Sequence, residues 1–170
     1  MGDVALPTVR ASAVREVAYP VEHVWQAMAT LLPYCTVCDV STVVDSPGEL
    51  ACGTAFRAFR GRIADPSSGP YVAEGGMSGE IVDWLPQRSV ATRLEAGNET
   101  VVVRVQMTPA SPDTTLVTIS VEVRPRARSR VAAAITRSSY ARMATRTVEG
   151  EIEKLPAHLE LFVDRELGEP

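Results

Sequence analysis

Residues 99–123 read ETVVVRVQMTPASPDTTLVTISVEV and contain two segments in which apolar and polar residues alternate. The apolar positions are Val101, Val103, Val105 and Met107 in the first segment and Val117, Ile119, Val121 and Val123 in the second. Because successive side chains of a strand point to opposite faces, this pattern predicts strands over 99–108 and 114–123, each with one buried and one hydrated face. The intervening PASPD is typical of a turn, so the two strands are predicted to pair as an antiparallel hairpin.

The alternation continues towards the N-terminus, where it predicts strands over 8–18, 39–44, 51–60, 71–84 and 88–95. From residue 39 onward the connections are short and rich in Gly, Pro, Asn or Asp: DSPGEL, ADPSSGP, LPQ and AGN. Such short connections imply hairpins, so six consecutive strands should form an antiparallel meander, with the early strand as a seventh. Glycines within the 71–84 strand, at 75, 76 and 79, are typical of a bend or bulge.

A short helical pattern follows the first strand. Pro20 precedes VEHVWQAMATLL, in which the apolar residues recur every three or four positions, and this predicts an amphipathic helix over 21–32 that ends at Pro33. Residues 34–38 are predicted to form a turn or a second short helix.

The C-terminal segment provides the cover for the apolar face of the sheet. Its apolar residues step by three to five positions and predict a helix over about 138–166: Met143, Val148, Ile152, Leu155, Leu159 and Phe162. Pro156 lies inside this helix and removes the hydrogen bond to the Ile152 carbonyl, which predicts a kink or a restart of the helix. Gly150 weakens the same region.

Composition places the chain among ordinary globular proteins. It has 170 residues, of which 45% are apolar and 22% charged, and this length suits a single domain, with a core over about 8–165. The net charge of −4 argues against a protein that coats nucleic acid. No apolar run reaches the roughly 18 residues of a membrane span, and the N-terminus lacks an apolar signal core, so a cytoplasmic protein is expected.

The collinear order of strand, helix, six-stranded meander and long terminal helix resembles the START-like, or SRPBCC, superfamily. The resemblance covers roughly residues 8–165 and is carried by short stretches in family order: the PVEHVW start of the first helix (20–25), the GEIVDWLP strand end (79–86), the TT start of the last strand (114–115) and LPAHLE near the end (155–160). In the last stretch, Pro156 replaces the lysine that the family usually carries.

This resemblance implies an α+β helix-grip fold, in which a curved seven-stranded antiparallel sheet wraps around a long C-terminal helix and two short helices follow the first strand. It also implies a cavity for an apolar or aromatic small molecule. The polyketide cyclase/dehydrase branch fits best, which would make the protein a lyase-type enzyme acting on a polyketide or aromatic precursor without metal or organic cofactor. Because the family has no universal catalytic motif, the resemblance transfers no catalytic residue.

Three residues are our candidates for moving protons in such a cavity: Glu151, Tyr140 and Tyr71. Glu151 lies at the edge of the apolar stripe of the last helix, where burial would raise the pKa of a carboxyl group and suit it to proton transfer. An exposed, purely solvated Glu151 is the alternative. Candidate ligand-binding residues supply aromatic, soft or hydroxyl surface: Tyr34, Phe56, Val103, Met107, Met143 and Thr147.

The cysteines and histidines give weaker patterns. Cys35 and Cys38 have the spacing found in zinc and redox sites, and Cys52 with His23 could complete a ligand set. No second CxxC motif is present, however, and the spacing fits no compact zinc knuckle, so we expect structural cysteines and no metal. His23 and the only other histidine, His158, lie beside charged residues in helical patterns, which predicts solvated surface positions.

The basic stretch from Arg124 to Arg146 contains no acidic residue, and an acidic tail follows it. An anionic partner or an acidic membrane surface could bind there, but a solvated connector whose cations are balanced by the tail is the simpler interpretation. The expected partner is an apolar or aromatic small molecule, with no nucleic acid and no integral membrane, and a homodimer through the sheet edge is left open. The alternative function is a non-catalytic binder or carrier of a lipid, quinone or pigment.

Overall fold

The structure, a computed structural model, describes residues 4–5, 8–63, 76–97, 99–127 and 130–166. Within these residues lie nine strands and two helices. The strands are β1 (Val4–Ala5), β2 (Val9–Val17), β3 (Tyr34–Cys35), β4 (Val40–Val44), β5 (Ala55–Arg60), β6 (Met77–Leu85), β7 (Ser89–Ala96), β8 (Glu99–Ser111) and β9 (Thr114–Ala127). The helices are α1 (Val21–Met28) and α2 (Arg130–Glu166).

All strand pairs are antiparallel, and the sheet runs in the order β1-β9-β8-β7-β6-β5-β4-β3, with β2 also paired to β9. From β4 to β9 each strand pairs with the next along the chain, so the predicted meander is confirmed. The predicted strand count of seven is wrong, because the two-residue strands β1 and β3 extend the sheet at its ends. The first part of the predicted 71–84 strand lies outside the described residues.

The predicted second short helix is also wrong. Residues 34–35 form β3, and the turn that follows returns the chain to β4, with Tyr34 opposite Ser41 and Cys35 opposite Val40. Asp39 closes this turn with φ of 52°, a conformation that aspartate tolerates better than most residues. Pro33 disfavours a helical residue before it, so α1 cannot run on into this segment. Helix α1 ends earlier still, at Met28, four residues before the predicted end.

The core lies between the inner face of the sheet and the two helices. Its largest cluster joins the ends of β8 and β9 to α1 and to the C-terminal half of α2, and it contains Val24, Met107, Val117, Ile119, Leu155 and Leu159. Trp25 of α1 meets Trp84 of β6 edge to face, with ring centroids 5.0 Å apart. The strand alternation thus buries the face that the sequence predicts.

Helix α2 continues through Pro156 without restarting, and it begins eight residues before the predicted start. Proline has no N–H for the Ile152 carbonyl, which would normally accept a hydrogen bond from residue 156. Arg15 of β2 supplies the missing donor: its Nη1 lies 3.2 Å from the Ile152 oxygen. A contact from the sheet therefore compensates for the proline. Within the described residues, no helix combines the length and the apolar content needed to cross a membrane.

Gly79 provides space for an aromatic ring in the neighbouring strand. It lies opposite Phe56, and a Cβ atom at Gly79 would be only 2.4 Å from two carbons of that ring. The register shift expected of a bulge occurs slightly later in β6, between Ile81 and Asp83. Gly79 is therefore needed for close packing, and the bend of the strand has a separate cause.

Candidate functional site

The inner face of the sheet is buried along β9 and at one end of β8, and it is only half-buried at the other end of β7 and β8. On β8, Val105 and Met107 are buried, whereas Val101 and Val103 on the same face are only half-buried. Thr92 pairs with Val103 and Leu94 with Val101, and both of these β7 residues are also half-buried. The C-terminal half of α2 covers the buried end. At the other end the inner-face side chains of β7 and β8 remain partly accessible.

One flank of α2 borders this half-buried region. Side chains with spacings of three, four and seven residues share a helix flank, and those at the edge of the buried stripe are all half-buried: Tyr140, Met143, Thr147, Glu151 and His158. Tyr140 and Met143 pack against the cluster that contains Val121 and Val148, and Val101 and Val103 also contact that cluster. Tyr140, Met143 and Val103 therefore pack against the same core cluster.

The polar side chains of Tyr140, Thr147 and Glu151 on this flank already have hydrogen-bond or ion-pair partners. Burial, the charge of Glu99 and a hydrogen bond with Glu99 raise the pKa of Tyr140. Its phenol therefore stays protonated at neutral pH and can donate a hydrogen bond. Thr147 donates its hydroxyl to the Met143 carbonyl at 2.9 Å, and Glu151 lies 3.9 Å from the Lys154 amine. A ligand carbonyl would therefore have to replace Glu99 as the acceptor of the Tyr140 hydroxyl.

Other candidate residues lie elsewhere. Met107 is part of the main core, and Phe56 is buried against Gly79, so packing already occupies both side chains. Strand alternation places Tyr34 on the face of the sheet opposite to Cys35. There its hydroxyl donates to Asp39 at 2.8 Å and Arg62 lies over its ring. Tyr71 lies outside the described residues.

The two cysteines of the CxxC motif meet a histidine from the far end of the chain. The Sγ atom of Cys38 lies 3.6 Å from Nδ1 of His158, and the Sγ atom of Cys35 lies 3.7 Å from Nε2 and 4.0 Å from Nδ1 of the same ring. The backbone N–H of Cys38 also donates to Cys35 Sγ at 3.3 Å. Cys52 is exposed and His23 binds the Leu159 carbonyl, so neither belongs to this group.

The surroundings of this cluster favour neutral groups. Burial, then the negative charge of Glu151 and the neighbouring Cys35, raise the pKa of the Cys38 thiol to about 12. Burial, followed by the positive charge of Lys154, lowers the pKa of His158. The prediction that His158 is a solvated surface residue is wrong, because its ring is half-buried against the thiols. His23 is half-buried as well, stacked on Tyr19 with ring centroids 4.8 Å apart.

The described part of the basic stretch is partly neutralised. Glu122 contacts Arg124 at 2.6 Å and Arg10 at 2.9 Å. Burial opposes the charged form of Glu122, but these two hydrogen bonds outweigh it and lower the pKa of the carboxyl group. Further along, Arg142 and Arg146 are exposed and line an open depression of about 490 Å³ with Met143, Thr147 and Ser139.

Sequence reasoning missed two site residues. Glu99 begins β8 with the same parity as Val101 and Val103, so strand alternation could have placed it on the inner face. His158 is seven residues after Glu151, which puts the two side chains on one helix flank. Its proximity to the cysteines depends on how β3 docks against α2, and no local sequence pattern contains that information.

The fold matches solved structures along almost its whole length. A START superfamily protein from Mycobacterium smegmatis aligns with a TM-score of 0.65 at 14% identity, covering 89% of this chain and 97% of that one. The Zhui aromatase/cyclase from Streptomyces sp. R1128 aligns with a TM-score of 0.63 at 17% identity, covering 94% and 96%. Truncated norcoclaurine synthase from Thalictrum flavum aligns with a TM-score of 0.61 at 10% identity, covering 96% and 98%.

No protein-family model matches the chain, and no curated protein matches its sequence. The identities to the solved structures are low, so these matches bear on architecture alone. The meander, the early strand paired to β9 and the long helix against the inner face all agree with them. The chain therefore has the START-like, or SRPBCC, helix-grip fold.

Proposed function

We propose that the protein binds an apolar or aromatic small molecule between the half-buried part of the inner sheet face and the flank of α2 that runs from Tyr140 to Glu151. The observation that carries this proposal is the half-exposure of Val101, Val103 and Leu94 beside Val121 and Val123, which are fully buried on the same face. Covering apolar surface that is in contact with water lowers the free energy, so these residues favour binding of an apolar ligand.

Within this function, we favour a cyclase/dehydrase reaction on a poly-β-keto or aromatic precursor. A wall that holds a flexible chain in one folded conformation raises the effective concentration of its reacting carbons. Glu151 would first take a proton from the attacking carbon and return it to the alkoxide that forms when the carbonyl is attacked. Tyr140 would exchange its hydrogen bond with Glu99 for one to that oxygen during the closure. Glu151 would then take the second proton from the same carbon and deliver it to the departing hydroxyl, which leaves as water. The aromatase/cyclase among the structural matches supports this choice of chemistry.

A carrier without catalysis is the second candidate, and one observation favours it. The Thr147 hydroxyl is already donated to the helix backbone, so it is not a free donor to a ligand. On the sheet side the wall is apolar at Val101, Val103 and Leu94, as a binder of lipids, quinones or pigments would require. The two functions differ in whether the bound molecule leaves unchanged.

The binding site can be tested with 1-naphthol, a fluorescent bicyclic aromatic probe. With roughly 11 non-hydrogen atoms at about 0.5 kcal/mol each, its dissociation constant should be on the order of 100 µM. The Val103→Phe variant fills part of the proposed site and should weaken binding at least about tenfold. Val102→Phe is the matched control, because Val102 is equally half-buried but points to the opposite face of the same strand. Equal binding by both variants would contradict the proposed location.

Catalysis is tested separately with a short poly-β-ketoacyl thioester. Glu151→Gln should lower turnover by about 10²- to 10⁴-fold, the usual range for a lost acid–base group, and leave probe affinity unchanged. Glu153→Gln is the control, since Glu153 is exposed on the same helix. If wild-type protein binds the thioester and releases it unaltered, the carrier function is correct and the cyclase function is not.

A further inference from the structure

Three side chains with metal-binding atoms meet beside the C-terminal half of α2. Cys35 ends β3, Cys38 lies in the turn after it, and His158 is on α2, 120 residues further along the chain. One potential ligand atom from each lies within 4.8 Å of the other two. Cys35 is buried and the other two are half-buried, so the cluster is partly shielded and keeps an accessible side.

The distances agree with those around a tetrahedral zinc ion. With Zn–S near 2.3 Å and Zn–N near 2.0–2.1 Å, a tetrahedral angle places sulfur and nitrogen about 3.6 Å apart. The Cys38 Sγ to His158 Nδ1 distance is 3.6 Å, and the Cys35 Sγ to Nδ1 distance is 4.0 Å. The Cys38 sulfur therefore lies at the distance expected for an ion shared with Nδ1, whereas the Cys35 sulfur, which is 3.7 Å from Nε2, has to shift towards Nδ1 when the ion binds.

The local backbone is also arranged for a metal-binding turn. The Cys38 N–H donates to Cys35 Sγ at 3.3 Å, a contact that would stabilise a thiolate at Cys35 and orient it. Two thiolates and a neutral imidazole form a soft to borderline ligand set, which selects zinc over magnesium or calcium. Binding would release the two thiol protons to solvent, so the bound site has no net charge from its ligands and ion.

We propose that Cys35, Cys38 and His158 form a zinc site with a fourth position open to water. Glu151 is near enough for its charge to act on Cys38, but it is held 3.9 Å from Lys154, so we assign it no ligand role. The ion would join the turn after β3 to α2, two elements that are distant in sequence. This proposal does not depend on the ligand-binding function, because the three residues act on the metal alone.

The test uses full-length protein reduced with a phosphine, stripped with a chelator and titrated with Co²⁺ and then Zn²⁺. Wild type should bind about one Co²⁺ per chain, with thiolate-to-cobalt charge-transfer absorption and visible tetrahedral bands that Zn²⁺ abolishes. Cys38→Ser and His158→Gln should each weaken binding more than about 100-fold, since loss of a ligand exceeds the effect of losing a residue that only orients one. Cys52→Ser, the exposed cysteine, should bind as wild type.

Circular dichroism of each metal-free variant establishes whether it is folded. If only one of Cys38→Ser and His158→Gln folds, its metal affinity alone is enough to test the site. The proposal is overturned if reduced wild type shows no thiolate–cobalt absorption, or if Cys52→Ser loses as much affinity as Cys38→Ser. It is also overturned if the reduced protein binds neither Co²⁺ nor Zn²⁺ while air oxidation forms a disulfide between Cys35 and Cys38. The two cysteines would then be a redox pair. Probe binding by the half-buried sheet face is measured separately, so failure here leaves that function unaffected.

Discussion

The contact between Arg15 and the Ile152 carbonyl should be energetically coupled to Pro156. Pro156 leaves that carbonyl without its helical donor, and Arg15 Nη1 takes the donor's place at 3.2 Å. Arg15→Met keeps most of the aliphatic stem and removes every donor. Pro156→Ala restores the missing N–H within the helix. If the two groups serve the same carbonyl oxygen, loss of Arg15 should matter only when proline is present.

The size of the effect follows from the geometry. Hydrogen bonds that involve a charged group contribute about 1.5–3 kcal/mol when well formed. This contact is longer than the usual 2.9–3.0 Å, and Arg15 is exposed to solvent, so about 1 kcal/mol is expected. Arg15→Met should therefore lower Tm by about 2–4 °C in a chain of this size. In the Pro156→Ala background the same change should cost only a few tenths of a kcal/mol.

A double-mutant cycle measures this coupling by urea unfolding, followed by far-UV circular dichroism. The expected interaction free energy is about 1 kcal/mol. Pro156→Ala alone should stabilise the protein, by up to about 3 kcal/mol, because a helix-interior proline is replaced. Equal losses for Arg15→Met in both backgrounds would refute the reasoning and show that Arg15 stabilises the fold in another way.

Three further changes test the packing and the charges. Gly79→Ala should cost about 1–3 kcal/mol, because its methyl group would collide with the Phe56 ring. Gly150→Ala should stabilise the protein by about 0.5–1 kcal/mol, since nothing lies within 4 Å of its Cβ position on α2. Glu122→Gln should flatten the acid side of the stability–pH curve. The lowered pKa of Glu122 means that its contribution is present above the ordinary value of 4.5 and is lost as the pH falls through the folded-state value.

Thermal unfolding measures both glycine variants, and denaturant unfolding from pH 3 to pH 7 measures the third. A Gly79→Ala protein as stable as wild type would mean that the ring of Phe56 moves aside freely. Destabilisation by Gly150→Ala would indicate a contact on that face of α2. Parallel pH curves for wild type and Glu122→Gln would mean that the two arginines contacting Glu122 have no preference for its charged form.

Most of the architecture follows from local pattern. Alternation in 99–123 fixes the buried face of β8 and β9, and the break at PASPD fixes their pairing. The errors lie where the pattern is short or ambiguous. Tyr34 and Cys35 are too few to show a period, so their pairing with β4 is invisible in the sequence. The sequence predicts that Pro156 leaves the Ile152 carbonyl without its helical donor. It does not predict that Arg15 replaces this donor, because Arg15 comes from another element.

The site is less predictable than the fold for the same reason. Tyr140, Met143 and Thr147 could be placed together because they share one helix. Met107 and Val103 lie on the same face of β8, yet Met107 is part of the core and does not line the proposed site. The reason is that α1 and the end of α2 cover the Met107 end of β8 and not the other end. His158 meets the CxxC motif only through tertiary docking. Sequence patterns predict which face of a strand or helix is buried. How much of that face is covered depends on how the elements pack.

Methyl NMR during a titration with 1-naphthol tests the central claim most directly, because it locates the ligand. The account predicts saturable shifts of the methyl signals of Val101, Val103 and Met143, with a single dissociation constant. The signals of Val117 and Met107, in the filled part of the core, should move little. Saturable shifts confined to Val102, on the opposite face of β8, or no saturable shift at all, would contradict a binding site between the sheet and α2.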